Sequence, residues 1–138
     1  MSTDDCVFCK MAAGQIPCAK VYEDDAVLAF LDIGPISDGH TLVIPKQHVG
    51  RLHDCPVGLL ERVCSPLGRI AAAVTKAMES DGYNVLCNNG RAAGQLVEHL
   101  HFHIIPRNAN DGVLKRWPSY KYEEGKIEVV AEKIRAKM

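Results

Sequence analysis

Three histidines take every second position of EHLHFHIIPR, residues 98–107: His99, His101 and His103. On a helix, residues two and four apart spread over about 200° and cannot converge. On a strand, alternate residues share one face, so the three imidazoles stand about 6.5–7 Å apart along it. Leu100, Phe102 and Ile104 then point the other way and anchor that face in a core. Three kinds of chemistry suit such a stripe. It can be a polar surface with no special role, a three-histidine metal site with an open position, or a nucleophilic and acid–base site for phosphorus. Imidazole attacks a phosphoryl centre and leaves again, and its pKa near about 6.5 keeps a neutral nucleophile available at pH 7. Spacing alone does not separate the last two.

The residues upstream do. In NNGRAAGQLVEHLHFHIIPR, residues 88–107, Gly90 and Gly94 allow backbone N–H groups to approach an anion, and Asn88 and Gln95 add neutral donors. A glycine loop beside three histidines reads as a phosphate cradle. Near the N-terminus, Cys6-Val-Phe-Cys9 has the spacing of a zinc knuckle. The same spacing serves redox chemistry, but a thioredoxin-like motif follows a strand in a βαβ unit, and this one starts six residues into the chain.

The elements that must position these groups are legible as a coarse pattern. Apolar runs predict strands at 26–33, 40–46, 82–88 and 98–105, with a shorter edge strand at 20–24. Leu59, Leu60, Val63, Cys64, Leu67, Ile70, Ala71, Val74 and Met78 recur at helical spacing across 57–80. Pro66 interrupts them, so the helix either starts there with Ser65 as its N-cap or is kinked there. Short helices are expected near 7–13 and 126–137, the latter with a stripe of Ile127, Val130, Ala131 and Ile134. Consecutive strands with short connections predict an α+β fold, a five-stranded antiparallel sheet with a main helix and a C-terminal helix.

With 138 residues, 47% of them hydrophobic, the chain suits one domain, 1–138. A net charge of −1 gives no nucleic-acid or membrane surface, and no apolar run reaches the roughly 18 residues of a membrane span. The acidic start MSTDDCVFCK has no apolar segment of a secretory signal, which points to the cytoplasm. The six cysteines are therefore expected to be reduced, with Cys18, Cys55, Cys64 and Cys87 as small buried apolar residues.

His-φ-His-φ-His-φ-φ, here residues 99–105, resembles the signature of the histidine triad family of nucleotide hydrolases and transferases. FLDIGPISDGHTLVIPKQH (30–48) and DCVFCKMAAGQIPCAKVYEDD (5–25) are similar to two further family blocks, so the resemblance covers roughly residues 5–118. The chain looks most like the zinc-containing branch of small homodimeric purine-nucleotide-binding proteins. The resemblance implies that His101 attacks the α-phosphorus of a purine nucleoside phosphoramidate, forming a nucleotidyl-imidazole that water releases as the mononucleotide. His103 and the loop amides would bind the phosphate oxygens, with His40 in support and Asn88 and Gln95 on the phosphate and leaving-group side. Asp32 would accept the ribose hydroxyls, although a carboxylate there also suits a turn. Val7, Phe8, Met11, Phe30, Ile33 and Leu42 would form an apolar slot for the base. Cys6 and Cys9 would be joined by His48 and His99 as ligands of one structural zinc per chain.

Three departures from the family pattern bear on activity. Leu96 stands where a serine or threonine commonly follows Gly-Gln, Glu98 replaces an apolar residue, and the stretch 108–116 before WPSY (117–120) differs in length. In the family that Trp-Pro segment reaches the partner's active site. Rival readings are a dinucleoside polyphosphate hydrolase, a nucleotide-sensing module with vestigial activity, and a three-histidine metal enzyme.

Overall fold

A computed structural model describes residues 3–114 and 118–138. Five strands form one antiparallel sheet: β1 (Lys20–Glu23), β2 (Val27–Leu31), β3 (Thr41–Pro45), β4 (Gly82–Leu86) and β5 (Phe102–Arg107). Their spatial order is β1-β2-β3-β5-β4, which puts β3 at the centre and leaves β1 and β4 as edges. The α+β expectation holds, and KVYE is an edge strand as its weak pattern indicated.

Both faces of the central strands are covered, which is why β2 and β3 read as unbroken apolar runs. Val27, Ala29, Val43, Phe102 and Ile104 face α2 (Val57–Cys64) and α3 (Leu67–Ala77), packing with Val63, Ile70, Ala71 and Val74. Leu28, Phe30, Leu42 and Ile44 form the opposite face with Phe8 of α1 (Val7–Ala12). Deleting one of these large buried side chains costs about 2–5 kcal/mol in cores of this kind.

Pro66 kinks a continuous helical path. Ser65 and Pro66 both keep right-handed helical backbone, and Ser65 makes no side-chain cap. The break between α2 and α3 falls where Pro66 has no N–H for the carbonyl one turn back.

Two expectations are corrected, on the histidine strand and on the cysteines, and the C-terminal helix is borne out. The ladder of β5 begins at Phe102, so His99 and His101 precede the strand. β3 ends at Pro45, and the Leu100 N–H bonds to the Val49 carbonyl at 2.6 Å instead of to the sheet. The C-terminal helix α4 (Lys126–Arg135) forms, but it buries no residue, and Ile127, Val129 and Ile134 are exposed. An apolar stripe is enough to form a helix, and among the described residues nothing buries this one. Finally, Cys18, Cys55 and Cys87 are only partly buried and Cys64 is exposed on α2, although all six cysteines are free. The spacing of Cys64 matched the helix, but its side chain falls at the edge of the apolar stripe.

Candidate active site and metal centre

β5 and its extended lead-in divide the three histidines between two centres. His103 pairs across the sheet with Leu42, and His101 stands next to it with ring centroids 4.9 Å apart. His99 belongs to a separate cluster with Cys6, Cys9 and His48. The imidazoles do not converge on one point, so a single metal held by all three is incompatible with this geometry.

Hydrogen-bond partners dictate the tautomers. The backbone N–H of Ile36 donates to His40 Nδ1 at 3.1 Å, so His40 carries its proton on Nε2. That N–H donates to His103 Nδ1 at 2.9 Å, which places the His103 proton on Nε2. His103 Nε2 is buried and has no partner among the described residues. His101 Nδ1–H donates to the His99 carbonyl at 2.6 Å, leaving its Nε2 lone pair free. A bare lone pair therefore sits beside an unspent buried donor, the arrangement needed to attack an electrophile and bind its oxygens.

Burial favours the neutral forms of His103 and His40. It lowers His103 to about 4, helped by neighbouring His101 and His40. Burial also lowers His40, against the opposing pull of Asp32. The Asp32, His40 and His103 atoms lie close enough to grip a cation. The hydrogen bond between His40 and His103 already uses the facing nitrogens, and Asp32 Oδ2 is 3.8 Å from His40 Nε2. We read this group as a relay.

His101 and His103 open into a cleft of about 520 Å³. Val7, Phe8, Met11, Phe30, Ile33 and Leu42 all line it, together with Asp32. Phe8 makes edge-on contacts with Phe30 and His101, at 5.5 and 5.3 Å between centroids. Ile33 is 98% exposed, so it stands at the mouth as a rim. Asp32 Oδ1 accepts the Gly34 N–H at 2.8 Å, the turn role its position allowed, and its other oxygen is not used in that turn. Sequence reasoning missed Pro17, Cys18, Ala19 and Val97 in the lining. The Pro17–Ala19 segment has no regular pattern, and only its approach to β2, marked by the Leu31 N–H bond to the Ala19 carbonyl, brings it there.

The loop before the triad is placed differently from expectation. Gln95 is 6% exposed and looks away from the cleft. Its Oε1 accepts the Gly90 N–H and its Nε2 donates to the Gly50 carbonyl, both at 2.8 Å. Asn88 does not line the cleft either; its Nδ2 lies beside Gly94, which has the left-handed φ of +85° and does line it. Leu96 is 93% exposed at the cleft margin, and Glu98 is exposed. Trp117 lies outside the described residues.

In the second cluster, Cys6 Sγ is 3.4 Å from His99 Nδ1, and Cys9 Sγ is 3.6 Å from the same atom and 3.3 Å from His48 Nδ1. Tetrahedral coordination with typical zinc–sulfur and zinc–nitrogen lengths places unlike ligand atoms about 3.6 Å apart. His99 Nε2–H donates to the Pro45 carbonyl at 2.8 Å, which turns an unprotonated Nδ1 toward the sulfurs. That outer bond is the usual orienting device for a metal-bound histidine. Burial and the adjacent Cys6 thiol push Cys9 up to about 11, so two thiolates here call for a cation between them. The donor set fits a closed four-coordinate metal site.

An antiparallel α+β domain with paired histidines at an apolar cleft is the architecture of a histidine-triad protein. Residues 13–110 match the family described as HIT domain, and the chain belongs to that family. It is 46% identical over 134 residues to the adenosine 5'-monophosphoramidase hnt1 of Schizosaccharomyces pombe, covering 96% of this chain and 98% of the relative. A solved histidine triad nucleotide-binding protein from Candida albicans superposes with a TM-score of 0.83 at 38% identity, covering 96% of each chain. A zinc-bound histidine triad family protein from Mycobacterium smegmatis gives 0.77 at 34% identity, with 99% of this chain and 100% of the other covered.

Proposed function

We propose that this chain hydrolyses purine nucleoside phosphoramidates at the α-phosphorus, in the manner of an adenosine 5'-monophosphoramidase. The observation that carries the reading is the free His101 Nε2 beside the unpartnered His103 Nε2–H at an apolar cleft. Membership in a family of nucleotide hydrolases and the name of the fission-yeast relative support it.

In the first step His101 Nε2 bonds to phosphorus as the P–N bond breaks. The departing nitrogen keeps the electron pair, takes up one proton from solvent and leaves as ammonia or an amine. His103 Nε2–H binds a non-bridging oxygen, where negative charge builds in the transition state. Water then attacks phosphorus, the nucleotidyl–imidazole bond breaks, AMP departs, and the borrowed proton is released. The His99 carbonyl holds the His101 Nδ1 proton, stabilising the imidazolium of the intermediate. Asp32 is assigned the ribose, through the oxygen not used in its turn, and the apolar slot takes the base. Few polar groups in that slot imply weak discrimination among purines. Asn88 and Gln95 are assigned indirect roles, shaping the loop around Gly94.

The metal assigned to Cys6, Cys9, His48 and His99 is zinc, one per chain and structural, because four protein ligands leave no open position. It would tie α1 to the segment that carries His101. Thiol ligands require a reducing compartment, which suits the cytoplasm. No helix among the described residues is long and apolar enough to cross a membrane. A homodimer is our reading of assembly, with edge strand β4 and its exposed Tyr83 and Val85 available for pairing.

The test is AMP release from adenosine 5'-phosphoramidate by wild type and by His101→Ala. Turnover by wild type that falls at least about a thousandfold in the variant supports the nucleophile. Equal turnover removes His101 from that role, and binding of AMP without turnover by either favours a sensing module.

A further inference from the structure

Leu96 stands at the margin of the cleft over His101. That side chain is also a wall of a second cleft, of about 180 Å³, lined by Arg51, Gly90, Arg91, Gln95, Leu96 and Glu98. The two arginines come from different turns, and the buried Gln95 amide clamps those turns together. Its Nε2 donates to the carbonyl of Gly50, directly before Arg51, and its Oε1 accepts from the N–H of Gly90, directly before Arg91. Neither guanidinium has an ion-pair partner among the described residues, whereas Arg62 and Arg107 both have aspartates. Two unspent guanidinium groups on rigidly joined turns suit a carboxylate or phosphate, which each can grip with paired N–H donors.

We infer that this cleft is a leaving-group subsite that selects substrates whose departing group carries an anion. The inference rests on the hydrolase reading above. The nucleotide fills the apolar cleft, phosphorus stands at His101 and His103, and the departing group passes Leu96 toward Arg51 and Arg91. A small hydroxylated residue at position 96 would offer a hydrogen bond; leucine leaves recognition to the charges beyond it. The matching substrate is AMP joined through a P–N bond to the amine of an amino acid, or through P–O to phosphate. Glu98, on the same rim, opposes the anion and tempers the preference.

The decisive quantity is a ratio of kcat/KM values for AMP N-linked to glycine and to glycinamide, which differ by one negative charge. Wild type should prefer the glycine conjugate by about tenfold at low salt, the scale of two partly screened charge contacts. The preference should shrink as salt rises. Arg51→Ala with Arg91→Ala should bring the ratio to about one, and Glu98→Gln should raise it. ADP is the arm for a phosphate leaving group: whichever anion loses more on removal of both arginines is the one the subsite fits. A wild-type ratio of one, or a preference that survives the double substitution or high salt, overturns the inference. Failure of wild type to turn over any phosphoramidate overturns the hydrolase reading instead, so the two failures are distinguishable.

Discussion

At the level of single residues, the proposed chemistry rests on where three imidazole protons sit. The Ile36 N–H sets the tautomer of His40, His40 sets that of His103, and the His99 carbonyl sets that of His101. Neutrality of this relay has a consequence for stability. Burial holds His103 at about 4 against an ordinary 6.5 and shifts His40 in the same direction. Between those two values the unfolded chain takes up a proton that the folded chain refuses. Stability is therefore full above pH 6.5 and falls as pH drops toward 4, by at most about 1.4 kcal/mol per pH unit for His103. Thermal midpoints of wild type and His103→Gln across pH 4–7 check this. The variant should show the shallower slope, and equal slopes would mean that His103 titrates normally.

At the scale of elements, the turn between β2 and β3 is the tightest joint in the site. Gly39 has φ +85°, and a Cβ there would come within 2.5 Å of Met78 Cγ and 3.3 Å of Pro106 Cγ. Met78 closes α3, so this turn, which leads into His40, is pressed against the end of that helix. Gly39→Ala should cost about 1–2 kcal/mol, because an L-residue resists left-handed backbone. Met78 is flexible and can move aside, so adding Met78→Ala should not restore stability. Full recovery in the double variant, measured by denaturant unfolding, would show that the clash dominates. α1 is the complementary case: six residues long, too short to persist alone, it is held by Phe8 in the core and by Cys6 and Cys9 in the donor cluster.

For the whole molecule, the donor cluster is the point where the N-terminus, β3 and the histidine segment meet. Removing a bound metal should lower the thermal midpoint on the order of 10 °C, the effect of losing about three kcal/mol in a chain near this size. Cys9→Ser should reproduce the chelated midpoint and gain nothing from added zinc. A midpoint indifferent to chelator in a protein with measured zinc would show that the fold does not depend on the site. α4 exposes Ile127, Val129 and Ile134, and β4 exposes Tyr83 and Val85, so two apolar surfaces lie open among the described residues.

How much was legible follows from the range of the interactions. Period-two and period-3.6 patterns, the apolar runs of β2 and β3 and the C-x-x-C spacing are local properties, and they were enough to define the strand count, the α+β class and the histidine signature. The alternation of His99, His101 and His103 also established that Leu100, Phe102 and Ile104 share the core face, as they do. It could not reveal that the ladder starts only at Phe102, because that depends on where β3 stops offering partners. Nor could it tell that Gln95, 45 residues from Gly50 in sequence, clamps the Gly50 turn to the Gly90 turn instead of facing the cleft. Which nitrogen of each histidine carries the proton, which cysteines are buried, and which arginines are left unpaired depend on neighbours brought together only by folding. Local sequence dictates the kinds of groups and the faces they share; folding chooses their partners, and partners set tautomer, charge and reach.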